Sequence, residues 1–186
     1  MTDTQQDVVD VLSTDHTEAK ALIAEIRATT DPEQRRDLAD TLISELVRHS
    51  VAEEMYVYPA MQEHLADGAQ AVEHDTKEHK QLERIMKEME GADAADATFL
   101  GLVDQLERVL LDHVSDEEDE QFPKLRASIP HQQLVELAGK VETAKKLAPT
   151  RPHPNAPNNE VFHKLVGPGV GLVDRLRDKL SGRTTG

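Results

Sequence analysis

Two eleven-residue stretches of this chain are written to one pattern. His49-Ser-Val-Ala-Glu53-Glu54-Met-Tyr-Val-Tyr58-Pro59 reads His, three residues, Glu-Glu, three residues, aromatic, Pro. His113-Val-Ser-Asp-Glu117-Glu118-Asp-Glu-Gln-Phe122-Pro123 repeats it without a gap. Four residues of α-helix turn through roughly 400°, so His49 and Glu53 share a face, as do His113 and Glu117. An imidazole and a carboxylate stacked this way can hold one metal ion from the same side. At Tyr58-Pro59 and Phe122-Pro123 a helix should stop or kink, because proline lacks the N–H donor.

The duplication extends beyond these stretches. His16 is followed by Leu22, Ile23 and Ile26, and His79 by Ile85, Met86 and Met89 at the same offsets; Asp15 and Glu78 precede the two histidines alike. The chain therefore reads as two copies of a helix pair, each with one His on its first helix and His-x-x-x-Glu on its second. One helix pair cannot enclose a site. Two pairs packed antiparallel make an all-α, up-down four-helix bundle with the ligating side chains inside, where a two-metal centre would form.

Periodicity gives the elements. A first helix over about 5–28 carries Val8, Val9, Leu12, His16, Ala19, Ile23 and Ile26 on one stripe. Asp31-Pro32 reads as cap and first residue of a second helix running to about Tyr58. A third helix spans about Ala69 to Glu90 on Asp75, His79, Leu82, Met86 and Met89, and Asp96 is the candidate cap of a fourth. Ser128-Ile-Pro130 separates that helix from a fifth, about His131 to Leu147. The expected organisation is a bundle with its fifth helix over 1–147, a Pro-rich tether over 148–160 and a short amphipathic basic tail over 161–186. In that tail Leu172, Val173, Leu176 and Leu180 fall on one face and Arg175, Arg177 and Lys179 on the other. The expectation is that the tail folds back and packs its apolar face on the bundle; contact with an anionic surface, a membrane or an unknown protein is the alternative.

Charge narrows the partners. The formal net charge is −15, and the residues before 140 are strongly acidic while those after it are basic. An acidic bundle repels phosphate backbones, so no nucleic-acid partner is expected. With aromatics at 3% the core must be aliphatic, and with no Cys neither disulfides nor thiolate ligation is available. The N-terminal residues have no basic region followed by an apolar run, and no stretch reaches the length of a membrane span, which makes the cytoplasm the expected location. Of the nine histidines, His64 and His131 border loops, His153 lies in the tether and His163 in the tail; all four are expected to face solvent.

The run Asp15-His16, His49-x3-Glu53-Glu54, Tyr58-Pro59, Glu78-His79, His113-x3-Glu117-Glu118, Phe122-Pro123 resembles the hemerythrin-like, or HHE cation-binding, domain over about residues 5–130. The tail is similar to an extension on a group of actinobacterial hemerythrin-domain proteins. The resemblance implies a non-haem pair of iron ions with an oxo or hydroxo bridge. It implies Glu53 and Glu117 as bridging ligands and His16, His49, His79 and His113 as terminal ones. Oxygen-carrying members place a fifth His four residues before the His matching His79. Here that position is Asp75, and His74 lies one residue earlier. His74 is the expected ligand if the helix deviates; Asp75, Glu78 or an open position are the alternatives. The implied function is binding or decomposition of O2-derived species (O2, H2O2, NO), with catalase- or peroxidase-like handling of peroxide under oxidative stress ahead of carriage. Tyr56 and Tyr58 near the site would supply electrons or a hydrogen bond. An oxygen- or iron-sensing module without turnover is the alternative.

Overall fold

The computed structural model describes residues 5–156 and 167–185. They form helices α1 (Val8–Ala28), α2 (Pro32–Ala52), α3 (Tyr58–His64), α4 (Gly68–Gly91), α5 (Ala97–Asp116), α6 (Phe122–Ser128), α7 (His131–Leu147) and α8 (Gly167–Ser181). The fold is all-α, as the sequence predicts. Asp7 opens α1 by a reciprocal exchange with Asp10, each side chain taking the other's backbone N–H. Asp31 caps α2 by accepting from the Glu33 N–H, with Pro32 in the first position. Asp96 stands at the start of α5 but makes no side-chain cap; Asp93 takes the Ala95 N–H instead.

The helices do not end at the two aromatic-Pro pairs. A π-helical turn, Glu53–Val57, joins α2 to α3, and another, Glu117–Gln121, joins α5 to α6. In each, an N–H reaches back five residues, from Tyr58 to the Glu53 carbonyl and from Phe122 to the Glu117 carbonyl. The extra residue widens the turn just before Pro59 and Pro123, which sit in the first turn of the following α-segment. There the missing N–H and the ring are tolerated, so the chain stays helical through both prolines.

Helices α1 and α2 form one hairpin, α4 and α5 the other, and contacts of α1 with α5 and of α2 with α4 close the bundle. Helix α7 lies across α1, α2 and the first π turn. Two apolar clusters fill the interior. One is built on Ile23, Leu42, Leu46, Leu82, Met86, Phe99, Leu106 and Leu110. The other holds Leu12, Ala52, Val57, Met61, Phe122, Leu125 and residues of α7. On α1 the polar His16 falls between Leu12 and Ala19, one in each cluster, and on α2 His49 falls between Leu46 and Ala52. A polar layer is thus walled by aliphatic side chains, each contributing about 1.5–3 kcal/mol on burial.

The C-terminal region departs from expectation in the face it buries. Helix α8 does fold back onto α7, but with the opposite face. Asp174 and Asp178 point inward, and Leu172, Val173, Leu176 and Leu180 remain outside, Leu180 at 88% exposure. Asp178 accepts from Thr150 Oγ1 and from Arg151 Nε at 2.7 Å, and Asp174 meets His153 Nε2 at 2.8 Å. Arg183 reaches Glu90 at 2.6 Å and Asp40 at 3.4 Å. Carboxylates are buried where cations answer them, and Arg151, Arg183 and His153 all lie on this side. Gly171 permits the approach, since a Cβ there would stand 2.4 Å from the Leu147 carbonyl oxygen. Thr150, Arg151 and His153 thus tie the start of the Pro-rich segment to α8, and His153, expected to face solvent, is paired with Asp174 and only partly exposed. His163 and the rest of residues 157–166 lie outside the described residues. Among the described residues, no helix is long and apolar enough to cross a membrane.

Removing Asp178 takes an acceptor from Thr150 and Arg151 and leaves Arg151 and Arg183 to share Glu90, a loss of about 1.5–3 kcal/mol for the charged hydrogen bond. Asp178→Ala and Gly171→Val should each release α8, read as faster proteolysis within residues 148–156, while the bundle retains its helical circular dichroism.

Candidate metal centre

Six side chains meet in the polar layer, and all six are buried: His16 from α1, His49 from α2, His79 from α4, His113 from α5, and Glu53 and Glu117, each the first residue of a π turn. Consecutive residues on a regular helix diverge by about 100°. At the π turn both Glu53 and Glu54 are nevertheless withdrawn from solvent, at 0% and 4% exposure.

The imidazoles fall into two pairs. His16 Nε2 and His49 Nε2 are 3.3 Å apart, and so are His79 Nε2 and His113 Nε2. The carboxylates join the pairs. Glu53 stands with Oε1 at 3.2 Å from His49 Nε2 and Oε2 at 3.3 Å from His79 Nε2. Glu117 has Oε2 at 3.2 Å from His16 Nε2 and Oε1 at 3.6 Å from His113 Nε2. Each carboxylate thus offers one oxygen to each imidazole pair.

The outer ring nitrogens are all engaged elsewhere. His16 Nδ1 meets Glu118 at 2.8 Å, His49 Nδ1 meets Asp15 at 3.1 Å, His79 Nδ1 meets Glu54 at 2.8 Å and His113 Nδ1 meets Glu78 at 3.0 Å. A carboxylate behind each ring fixes its orientation and leaves Nε2 directed inward, the arrangement that orients metal-bound histidines. The sequence presented Glu54, Glu118, Asp15 and Glu78 in repeat register. Their pairing with Nδ1 was not legible, because two of the four contacts, His16 with Glu118 and His79 with Glu54, cross between the repeats.

Charge in this layer is lopsided, with six carboxylates around four imidazoles. Burial disfavours the charged form of His49, yet Glu53 and Asp15 outweigh it and push the ring up to about 10. His79 and His113 are likewise raised against burial by Glu53 with Glu54, and by Glu117 with Glu78. Burial would raise Glu53, but His49 and His79 hold it well below the usual carboxylate range. The layer calls for positive charge. No donor is aligned for a hydrogen bond with either oxygen of Glu53 or of Glu117, although imidazole nitrogens stand close by. Donor edges of 3.2–3.6 Å are those of neighbouring ligands on one ion at metal–donor distances of about 2.0–2.2 Å. Imidazole and carboxylate without sulfur suit a first-row transition metal, and the residues fit a pair of such ions.

The other sequence candidates are placed as follows. His74 does not join the buried cluster. Its side chain is 57% exposed and lies between Glu78 and Asp116. Asp75 turns inward instead, fully buried, with Oδ1 accepting from Gln121 Nε2 at 3.1 Å and Oδ2 without a hydrogen-bond partner. Burial, then the charge of Glu117, pushes Asp75 up to about 6. Tyr58 is at the site, its hydroxyl 3.0 Å from His79 Nε2, whereas Tyr56 lines a separate cleft with Met55, Leu147 and Pro168. Phe122 stacks on His16 with centroids 5.9 Å apart.

Comparison with known proteins gives the family and the fold. Residues 7–125 match the profile described as the Hemerythrin HHE cation binding domain. An uncharacterized hemerythrin-like protein of Schizosaccharomyces pombe is 28% identical over 174 residues, covering 93% of this chain and 86% of that protein. A protein of Nostoc sp. named as a DNA nickase is 25% identical over 138 residues; the match takes in 74% of this chain but 39% of that protein. The crystal structure of a hemerythrin HHE cation binding domain-containing protein from Mycobacterium kansasii superposes with a TM-score of 0.64 at 23% identity, covering 76% of this chain and 86% of the other. That likeness shows the fold.

Two measurements follow from the centre. With a pair of ions in the layer, Glu117→Ala and Glu53→Ala should each lose both together, His16→Ala should weaken mainly one, and His74→Ala should retain both, read by metal analysis of purified protein. The raised His49 stabilises the metal-free fold fully below 6.5, and this contribution is lost as pH climbs through about 10. Metal must displace that proton, so chelator-treated protein should lose thermal stability across this window while apparent metal affinity rises over it.

Proposed function

The chain belongs to the hemerythrin HHE cation-binding family, and from that premise we propose that it is a non-haem di-iron protein that binds and breaks down O2-derived species, peroxide foremost. The observation that carries the reading is the pair of carboxylates, each offering its two oxygens to different imidazole pairs. In this reading His16 and His49 hold one iron, His79 and His113 the other, and Glu53 and Glu117 span both. A bound iron pair supplies redox-active Lewis-acid positions at which O2, peroxide or NO can be taken up.

The two ends of the centre differ, and the difference points to where an incoming species is handled. Around His79 the repeat contributes Asp75, Gln121 and Tyr58. The corresponding positions around His16 are Leu12, Val57 and Phe122, all in one apolar cluster. Apolar walls exclude water on that side. On the other, Gln121 fixes one oxygen of Asp75 and leaves Oδ2 open, so a buried carboxyl presents a free oxygen at which a proton can be held. The Tyr58 hydroxyl beside His79 is a second donor, kept protonated by burial and by the surrounding carboxylates. A peroxide handled at this end would find a proton source on each flank.

Purified iron-loaded protein given hydrogen peroxide should release O2. Asp75→Leu should slow that release on the order of 10²-fold while iron content and the near-ultraviolet absorption of the ferric pair are retained; Tyr58→Phe should slow it less. A stable, reversible oxygen adduct with no consumption of peroxide would defeat the enzymatic reading.

A further inference from the structure

The ring of His74 has partners of its own at the bundle surface. Its Nε2 stands 3.3 Å from Glu78 Oε1 and 3.2 Å from Asp116 Oδ2. Both are ion-pair contacts without the alignment of a hydrogen bond, the same relation that Nε2 of the buried histidines has to Glu53 and Glu117. One ligand atom from each of the three residues lies within 4.8 Å of the others. His74 and Glu78 share a face of α4 one turn apart, and Asp116, the last residue of α5, comes in from the neighbouring helix. His74 and Asp116 are about half exposed, while Glu78 is withdrawn at 12%. Glu78 is also the residue whose second oxygen, Oε2, meets Nδ1 of His113 at 3.0 Å.

We propose that His74, Glu78 and Asp116 form a separate binding site for a hydrated divalent transition-metal ion, and that this site passes ions to the buried centre. One imidazole and two carboxylates fill three positions of an octahedron and leave the rest to water, which makes such a site quick to load and quick to empty. The imidazole favours Fe2+, Mn2+ or Zn2+ over Ca2+. The surrounding acidic surface concentrates cations at its mouth. Glu78 is the joint between outside and inside: with one oxygen on the surface ion and one on His113, its carboxylate can turn toward the incoming ion and free the ring that must receive it. The surface site stands by itself; only the passing-on rests on the iron pair proposed above.

Mn2+ added to iron-loaded protein, followed by loss of the electron paramagnetic resonance signal of the free ion, tests the site. Wild-type protein should bind one further ion at submillimolar concentration. His74→Ala and Asp116→Asn should weaken that binding about tenfold or more with the iron content intact, and His64→Ala should not. Absence of further Mn2+ binding, or undiminished binding by His74→Ala, overturns the site. Uptake of Fe2+ by metal-free protein tests the transfer: His74→Ala should load several-fold more slowly to the same final content, and equal rates overturn the entry role. If neither protein takes up iron, the di-iron reading fails, and the Mn2+ titration on that protein still decides the surface site.

Discussion

Glu53 and Glu117 are carboxylates held wholly out of water in the middle of a helical bundle, and the rest of the molecule is arranged around that cost. Withdrawing an ionised carboxylate from solvent opposes folding by several kcal/mol unless positive charge answers it. Four imidazoles supply the first answer. Four further carboxylates, Asp15, Glu54, Glu78 and Glu118, hold those rings by their outer nitrogens, which adds negative charge and deepens the demand for cations. The aliphatic clusters on either side keep water from satisfying it. Lys145, 2.5 Å from Asp15, brings α7 into the same balance, so a helix outside the four-helix bundle is tied to the charge at its centre.

Much of this was legible in the residues. His49-x3-Glu53 and His113-x3-Glu117, with His16 and His79 in register, place six side chains on facing stripes, and the structure gathers all six in one layer. Less legible was the behaviour of the chain at Pro59 and Pro123. A lone proline reads as a stop or a kink, and only the widened turn before it shows why the helix goes on. At His74 residue type and helical phase disagree: periodicity already puts Asp75 on the inward stripe with His79, and the structure turns His74 outward. The tail was misread for a related reason. Its leucines form the more conspicuous stripe, but the face of α8 was chosen by Asp174 and Asp178, whose partners His153 and Arg151 lie 21 and 27 residues back in the sequence.

The near-symmetry of the two repeats sharpens the places where it fails. Asp75 against Leu12, Gln121 against Val57 and Tyr58 against Phe122 are the substitutions that matter, and each puts a polar group at the His79 end. Two helix pairs laid down alike have thus been made unlike at one end of one layer. The other end keeps the apolar packing that holds the bundle together.

His16 is steadied by Glu118 and His79 by Glu54, so the first-helix histidine of each repeat is held by the repeat to which it does not belong. A half-length chain containing one helix pair would carry every residue type the centre uses and still be unable to orient its own ring. It would acquire that support only by meeting a copy of itself across a two-fold axis. Fusion of two such halves through the short connection at 65–67 would have turned a bimolecular encounter into a permanent one. Only in a single chain can one end differ from the other, because two identical copies would repeat any polar group at both ends.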